Sequence, residues 1–194
     1  LLRIDRLFIY PQEKIMDTFF IQILTIITGF ISFILVLRSW FQFCRVPVHL
    51  PISQTLLRMT APVVDPLTRI IPTVKGINFA AILLTVIVLV IEKLVAYSAP
   101  LTLSVFMALL GVLKIFGQIL FFTTLIRALM SWVTQGNHPL DYVVAQITEP
   151  VLGLIRRILP RTGMLDFSVM VLGFILIFVN QLFYSLFGAV WALA

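Results

Sequence analysis

Two histidines, His49 and His138, fall in equivalent loops, and the single cysteine, Cys44, lies five residues before the first. Imidazole and thiolate bind metals and haem, but no spacing among these three fixes a ligand geometry, so loop residues and a small packing cysteine are the simpler reading. One cysteine forms no internal disulfide. The chain has no Gly-rich phosphate loop, H-E-x-x-H, paired-Cys ligand set or G-x-S-x-G, which points away from an enzyme and implies no cofactor.

The ionisable residues are more informative. Lys114 interrupts a long apolar run, where a charge costs several kcal/mol at about the bilayer centre and is a functional candidate by default. It stands about eight residues, near 12 Å, from the outer end of its span, within snorkelling reach of headgroups, so an anchor and an intramembrane site both remain open. Glu92 is the acidic residue on that side. Arg69 and Arg157 each precede a proline at the end of an amphipathic segment. They suit either helix carbonyls and lipid phosphate or docking points for an acidic partner. Asn78 and Asp166 open two later spans as N-caps, with Asp166 alternatively a counter-ion for Arg127 or Arg161.

The elements that must position these residues are set by composition. The chain has 194 residues, 61% hydrophobic and 11% charged, with a net charge of +6 and a mean hydropathy of +1.12. Soluble domains carry about 25% charged residues, so lipid is the solvent this chain matches. Its basic residues flank hydrophobic runs, which fits cytoplasmic loops and anionic headgroups better than nucleic acid.

Thr18 to Leu37 is the first span, and Gly76 to Ile91 the second, lengthened by Glu92 and Lys93, which sit at the interface or snorkel. Leu94 to Ile126 is too long for one crossing. Pro100 marks a break, placing the third span at Phe106 to Ile126 and leaving Leu94 to Val105 as an apolar connector that lies in the interface or extends its neighbours. Phe167 to Ala194 is the fourth span, one tilted helix. Leu1 to Ile15 is unlike the rest and reads as a non-native or disordered leader before Met16. With the leader set aside, Arg38, Arg45, Arg58, Arg69 and Lys75, and then Arg127, Arg156, Arg157 and Arg161, put both long loops in the cytoplasm and both termini outside.

The chain repeats itself. Pro51 to Phe79 aligns with Pro139 to Phe167 without gaps, with eight identities in twenty-nine positions where chance gives roughly two. With one residue of slack, Arg38 also falls on Arg127. The copies, 16–98 and 99–194, each read span, loop, span, so they point the same way as parallel tandem hairpin repeats. In the loops, Ile52, Leu56, Met59 and Val63, and equivalently Leu140, Val144, Ile147 and Val151, recur at helical spacing. Pro51 and Pro139 suit first turns, Pro62 and Pro150 break the helices, and Pro72 and Pro160 stop the segments after those breaks. Each loop is expected to be a bent amphipathic helix on the membrane surface, apolar side down.

The motifs R-S-W-F-Q at Arg38 to Gln42, P-I-S-Q at Pro51 to Gln54, T-A-P at Thr60 to Pro62 and R-I-I-P at Arg69 to Pro72 resemble the YggT family. The second copy agrees, with S-W-V-T-Q-G from Ser131, T-E-P from Thr148, R-R-I-L-P from Arg156 and D-F-S from Asp166. The resemblance runs from Met16 onward and implies a multi-pass bacterial inner-membrane protein without enzymatic activity, associated with osmotic stress and potassium homeostasis. Plastid and cyanobacterial relatives are linked to cytochrome-complex assembly, division and nucleoid organisation. The expected fold is therefore all-α, with four transmembrane helices in two hairpin repeats. The expected function is support of osmotic or ion homeostasis through membrane partners or a homo-oligomer. A potassium channel or transporter subunit and a cytochrome assembly factor are the alternatives.

Overall fold

In hydrocarbon every backbone amide must be bonded within its own segment, so long uncharged stretches become helices. The computed structural model describes residues 5–134, 138–158 and 167–194. Its helices are α1 (Asp5–Phe43), α2 (Pro51–Thr68), α3 (Phe79–Tyr97), α4 (Leu101–Val133), α5 (Pro139–Ile158), α6 (Phe167–Phe187) and α7 (Ala189–Leu193). Among the described residues, four stretches are long and apolar enough to cross a membrane: Thr18–Phe43, Phe79–Tyr97, Leu101–Ser131 and Phe167–Phe187.

Two differences from the expected span boundaries change the architecture. The third span opens at Leu101 instead of Phe106, because the apolar connector Leu94 to Val105 finishes α3 and begins α4. The break is confined to Ser98, in the left-handed region at φ 49°, and the two residues up to Pro100. At the other end, the fourth span is not one helix to Ala194. Gly188 turns the chain at φ 52°, and α7 doubles back, since Trp191 Nε1 donates to Asn180 Oδ1 at 3.1 Å. Eleven residues of straight helix would separate the two by about 16 Å.

The prolines differ too. Pro51 and Pro139 do open α2 and α5, but both helices run on through Pro62, Pro66 and Pro150. Proline removes one N–H and leaves the carbonyl four residues back unbonded, a loss that a packed helix face can outweigh. Here that face is Ser53, Leu56, Thr60 and Val64 in α2, and Val143, Val144, Ile147, Thr148 and Leu152 in α5. Pro72 lies in the turns after α2. Pro160, Arg161 and Asp166 lie outside the described residues.

The loop helices fold back along the spans that precede them. Arg127 bonds Thr148 and Thr134 bonds Asp141, a step of seven residues on each side, so α5 runs antiparallel to the end of α4. In α2, Leu56 packs in a cluster with Phe41, and Val64 in another with Leu35, again reversing direction. The expected apolar stripe is therefore split in α2: Leu56 is buried inward while Ile52, Met59 and Val63 stay exposed. A central cluster of Val36, Leu89, Ala108, Ile115 and Ile119 joins α1, α3 and α4.

The chain leaves α2 through a tight turn, where Val74 and Ile77 exchange both backbone hydrogen bonds, at 3.1 and 2.9 Å. Lys75 and Gly76 both have positive φ, 52° and 86°, the geometry of a type I′ turn. A Cβ on Gly76 would stand 3.3 Å from Phe43 Cα. Gly76→Ala is therefore expected to lower stability by about 1–3 kcal/mol, read as earlier unfolding in detergent micelles. Unchanged unfolding would contradict the turn.

Candidate functional site

Both copies place an arginine at the end of the first span and a threonine inside the loop helix. In the first, Arg38 Nη1 donates to Thr60 Oγ1 at 2.7 Å and Nη2 to Asp65 Oδ1 at 2.6 Å. In the second, Arg127 Nη1 donates to Thr148 Oγ1 at 2.6 Å, to the Ala145 carbonyl at 3.3 Å and to Glu149 Oε2 at 3.5 Å. Each threonine hydroxyl in turn donates to the carbonyl four residues back, Leu56 or Val144, at 2.7 Å. Helical threonines can do this while still accepting a bond. Arg38 is only 5% exposed, and both terminal nitrogens of its guanidinium bond within the chain, while its buried Nε has no partner among the described residues. Arg156 reaches Glu149 at 3.0 Å.

The two copies meet at a polar seam. Trp40 Nε1 donates to the Ile147 carbonyl at 2.9 Å. Gln146 Nε2 donates to the carbonyls of Cys44 and Arg45 at 2.9 and 2.8 Å. The Gln146 bonds satisfy carbonyls just past the end of α1, where no further helical turn follows to bond them. Cys44 is buried there, and desolvation pushes its thiol up to about 12, far from the thiolate form that binds metals.

His138 serves locally: its Nδ1 accepts from Leu140 N at 3.2 Å. Asp141 accepts from Thr134 Oγ1 and from His138 N. The Thr134 hydroxyl first, and then the His138 amide, hold its carboxyl below the usual range. His49 is exposed on its loop. Among the described residues no three His, Cys, Asp or Glu side chains gather as a metal site.

Within the spans the Lys, Arg and Glu side chains all have partners among the described residues. Glu92 and Lys93, at the end of the second span, are buried within the chain at 2% and 3% exposure. Thr28 Oγ1 of α1 donates to Glu92 Oε2 at 2.8 Å, Thr25 Oγ1 to Oε1 at 3.3 Å, and Lys93 Nζ to Oε1 at 3.0 Å. Lys93 also lies over the Tyr97 ring, 5.6 Å from its centroid. Lys114 Nζ donates to the main-chain oxygens of Trp191, Ala192 and Ala194 at 3.1 to 3.2 Å. It thereby ties the last turn of α7 to the middle of α4. Asn78 Oδ1 accepts from Ala81 N at 3.0 Å, the N-cap of α3. Arg69, Arg157 and Pro62 are exposed, and Pro150 is half-buried.

The cavity between α1, α3 and α4, about 350 Å³, is lined chiefly by apolar side chains such as Val36, Phe43, Ile82 and Phe116. A groove of about 470 Å³ between α4 and α6 brings Lys114, Gln118, Asn180 and Trp191 together among phenylalanines.

This architecture defines a polytopic helical membrane protein built from two copies of one span, loop-helix, span unit. The family model described as CCB3/YggT matches it twice, over residues 18–99 and 106–187, and the chain belongs to that family. It is similar to an uncharacterized protein of Haemophilus influenzae, 39% identical over 163 residues, 84% of this chain and 90% of that one. It is 41% identical over 165 residues to an uncharacterized protein of Vibrio alginolyticus from the proC 3′ region, covering 81% and 89% of the two chains. It is also 36% identical over 152 residues to the uncharacterized protein YggT of Escherichia coli K12, covering 77% and 81%. No solved structure matches.

Removing one partner of a buried ion pair strands the other charge. Glu92→Leu is therefore expected to destabilise the chain by about 3–5 kcal/mol in mixed-micelle unfolding, and Glu92→Leu combined with Lys93→Leu by clearly less. A double variant as unstable as the single one would contradict the pairing.

Proposed function

We propose that the chain is a non-enzymatic protein of the bacterial inner membrane that supports osmotic or potassium homeostasis indirectly, by holding anionic lipid and membrane partners at α2 and α5. One observation carries this reading. The Lys, Arg and Glu side chains of the spans bond internal partners, whereas Arg58 and Arg157 of the loop helices, and Arg69 at the end of α2, are exposed. Beside them Met59, Val63 and Ile70, and in the second copy Leu154 and Ile158, present exposed apolar surface. Basic side chains next to an apolar ridge suit the headgroup boundary of an anionic leaflet. The long loops then face the cytoplasm, and the link to potassium and osmotic stress rests on the family resemblance.

The rival reading, a potassium channel or transporter subunit, draws on the polar groups in the groove between α4 and α6. Lys114 weighs against it, because its ammonium is occupied by the carbonyls of α7 and its charge repels a cation. Potassium flux into proteoliposomes holding the purified chain is the discriminating experiment. The expected flux under an imposed potential and an osmotic step equals that of empty vesicles. Flux above that level, altered by Lys114→Ala, would overturn the proposal in favour of the conduit.

A further inference from the structure

We infer that α6 is a self-association helix, whose outward seam pairs with α6 of a second copy of this chain. Of the four spans, α6 has the smallest buried share, and its outer face is patterned. Met170, Phe174, Ile177, Gln181 and Tyr184 are spaced by four, three, four and three residues, with Gly188 four further on. That alternation is the 3.5-residue period of a helix pair wound left-handedly, a common crossing in membranes. Met170, Phe174, Ile177 and Tyr184 are each more than half exposed, and Gln181 is exposed among them.

Gln181 decides what covers this face. Its neighbour Asn180 turns toward its own chain and accepts from Trp191 Nε1. Gln181 has no hydrogen-bond partner among the described residues, and it sits six residues, about 9 Å, inside the end of α6, whose 21 residues match the thickness of a hydrocarbon core, about 30 Å. An unpaired amide there is costly, and lipid tails offer nothing to pair with. A carboxamide is donor and acceptor at once, so its electrostatic complement is another carboxamide approaching in the reverse sense. A two-fold axis through the seam supplies this, each Gln181 donating to and accepting from its counterpart. Apolar residues on both sides then pack in register, with the amide pair fixing the alignment as a single polar seam residue does in coiled coils. The loop helices, and the function proposed for them, are not involved.

The test uses the full chain at high dilution in liposomes, with the fraction of dimers counted by stepwise photobleaching. Wild type is expected to dimerise, and Gln181→Leu, which keeps the helix and the apolar seam, to weaken the dimer about three- to fifteen-fold. Cysteine cross-linking in a Cys44→Ala background gives an independent readout. Ile177→Cys and Tyr184→Cys should link two copies readily, and Leu182→Cys, off the seam, should not. Monomers at all densities, an unchanged dimer in Gln181→Leu, or linking spread evenly around the helix would each overturn the inference. So would seam links formed in cells only to a different protein.

Discussion

A guanidinium at the end of a membrane-spanning helix has few places to go, and in this chain it goes back into the protein. Arg38 and Arg127 each reach across to the threonine of the following loop helix, and each threonine hands its own proton to a carbonyl one turn earlier. The bond is charge-assisted and partly desolvated, both of which strengthen it. It draws α2 along the end of α1, and α5 along the end of α4. With α5 held there, Gln146 and the Ile147 carbonyl come to the end of α1, where Cys44, Arg45 and Trp40 receive them. The polar part of the contact between the two copies therefore depends on a brace formed within one of them, beside the apolar cluster that joins α1 and α3 to α4.

Charged side chains that find their partners within the protein also organise the opposite end. Glu92 collects two threonines and a lysine, and Lys114 collects the open carbonyls of a helix that has turned back on itself. The charges inside the spans thus act as fasteners. What remains for interaction is the outside: the basic and apolar faces of the loop helices, and the long exposed flank of α6.

Local chemistry was legible in the sequence, and encounters between distant segments were not. Charge-free runs located the spans, Asn78 announced the cap of α3, and Pro51 and Pro139 announced the starts of α2 and α5. Glu92 sits near a helix end, and its burial against Thr25 and Thr28, more than sixty residues away, leaves no trace in the local sequence. Pro62 and Pro150 carry a local breaking signal that the packed face around them overrides. Lys114 was a visible outlier whose partner depends on the reversal at Gly188, and a glycine near the end of an apolar run is an ambiguous cue. One signal was present and unread. Arg38 with Thr60 and Arg127 with Thr148 recur together in both copies, and paired recurrence across an internal duplication is what a bonded pair produces.

Hydrogen exchange of the purified chain in nanodiscs, comparing wild type with Arg38→Gln and Arg127→Gln, tests the brace most directly. Hydrogen bonds to charged groups contribute about 1.5–3 kcal/mol, so loss of a brace should speed exchange of its own loop helix about tenfold or more. The account predicts that Arg38→Gln loosens α2 and spares α5, and that Arg127→Gln loosens α5 together with the seam at the end of α1. Equal protection of α2 and α5 in all three proteins would contradict it.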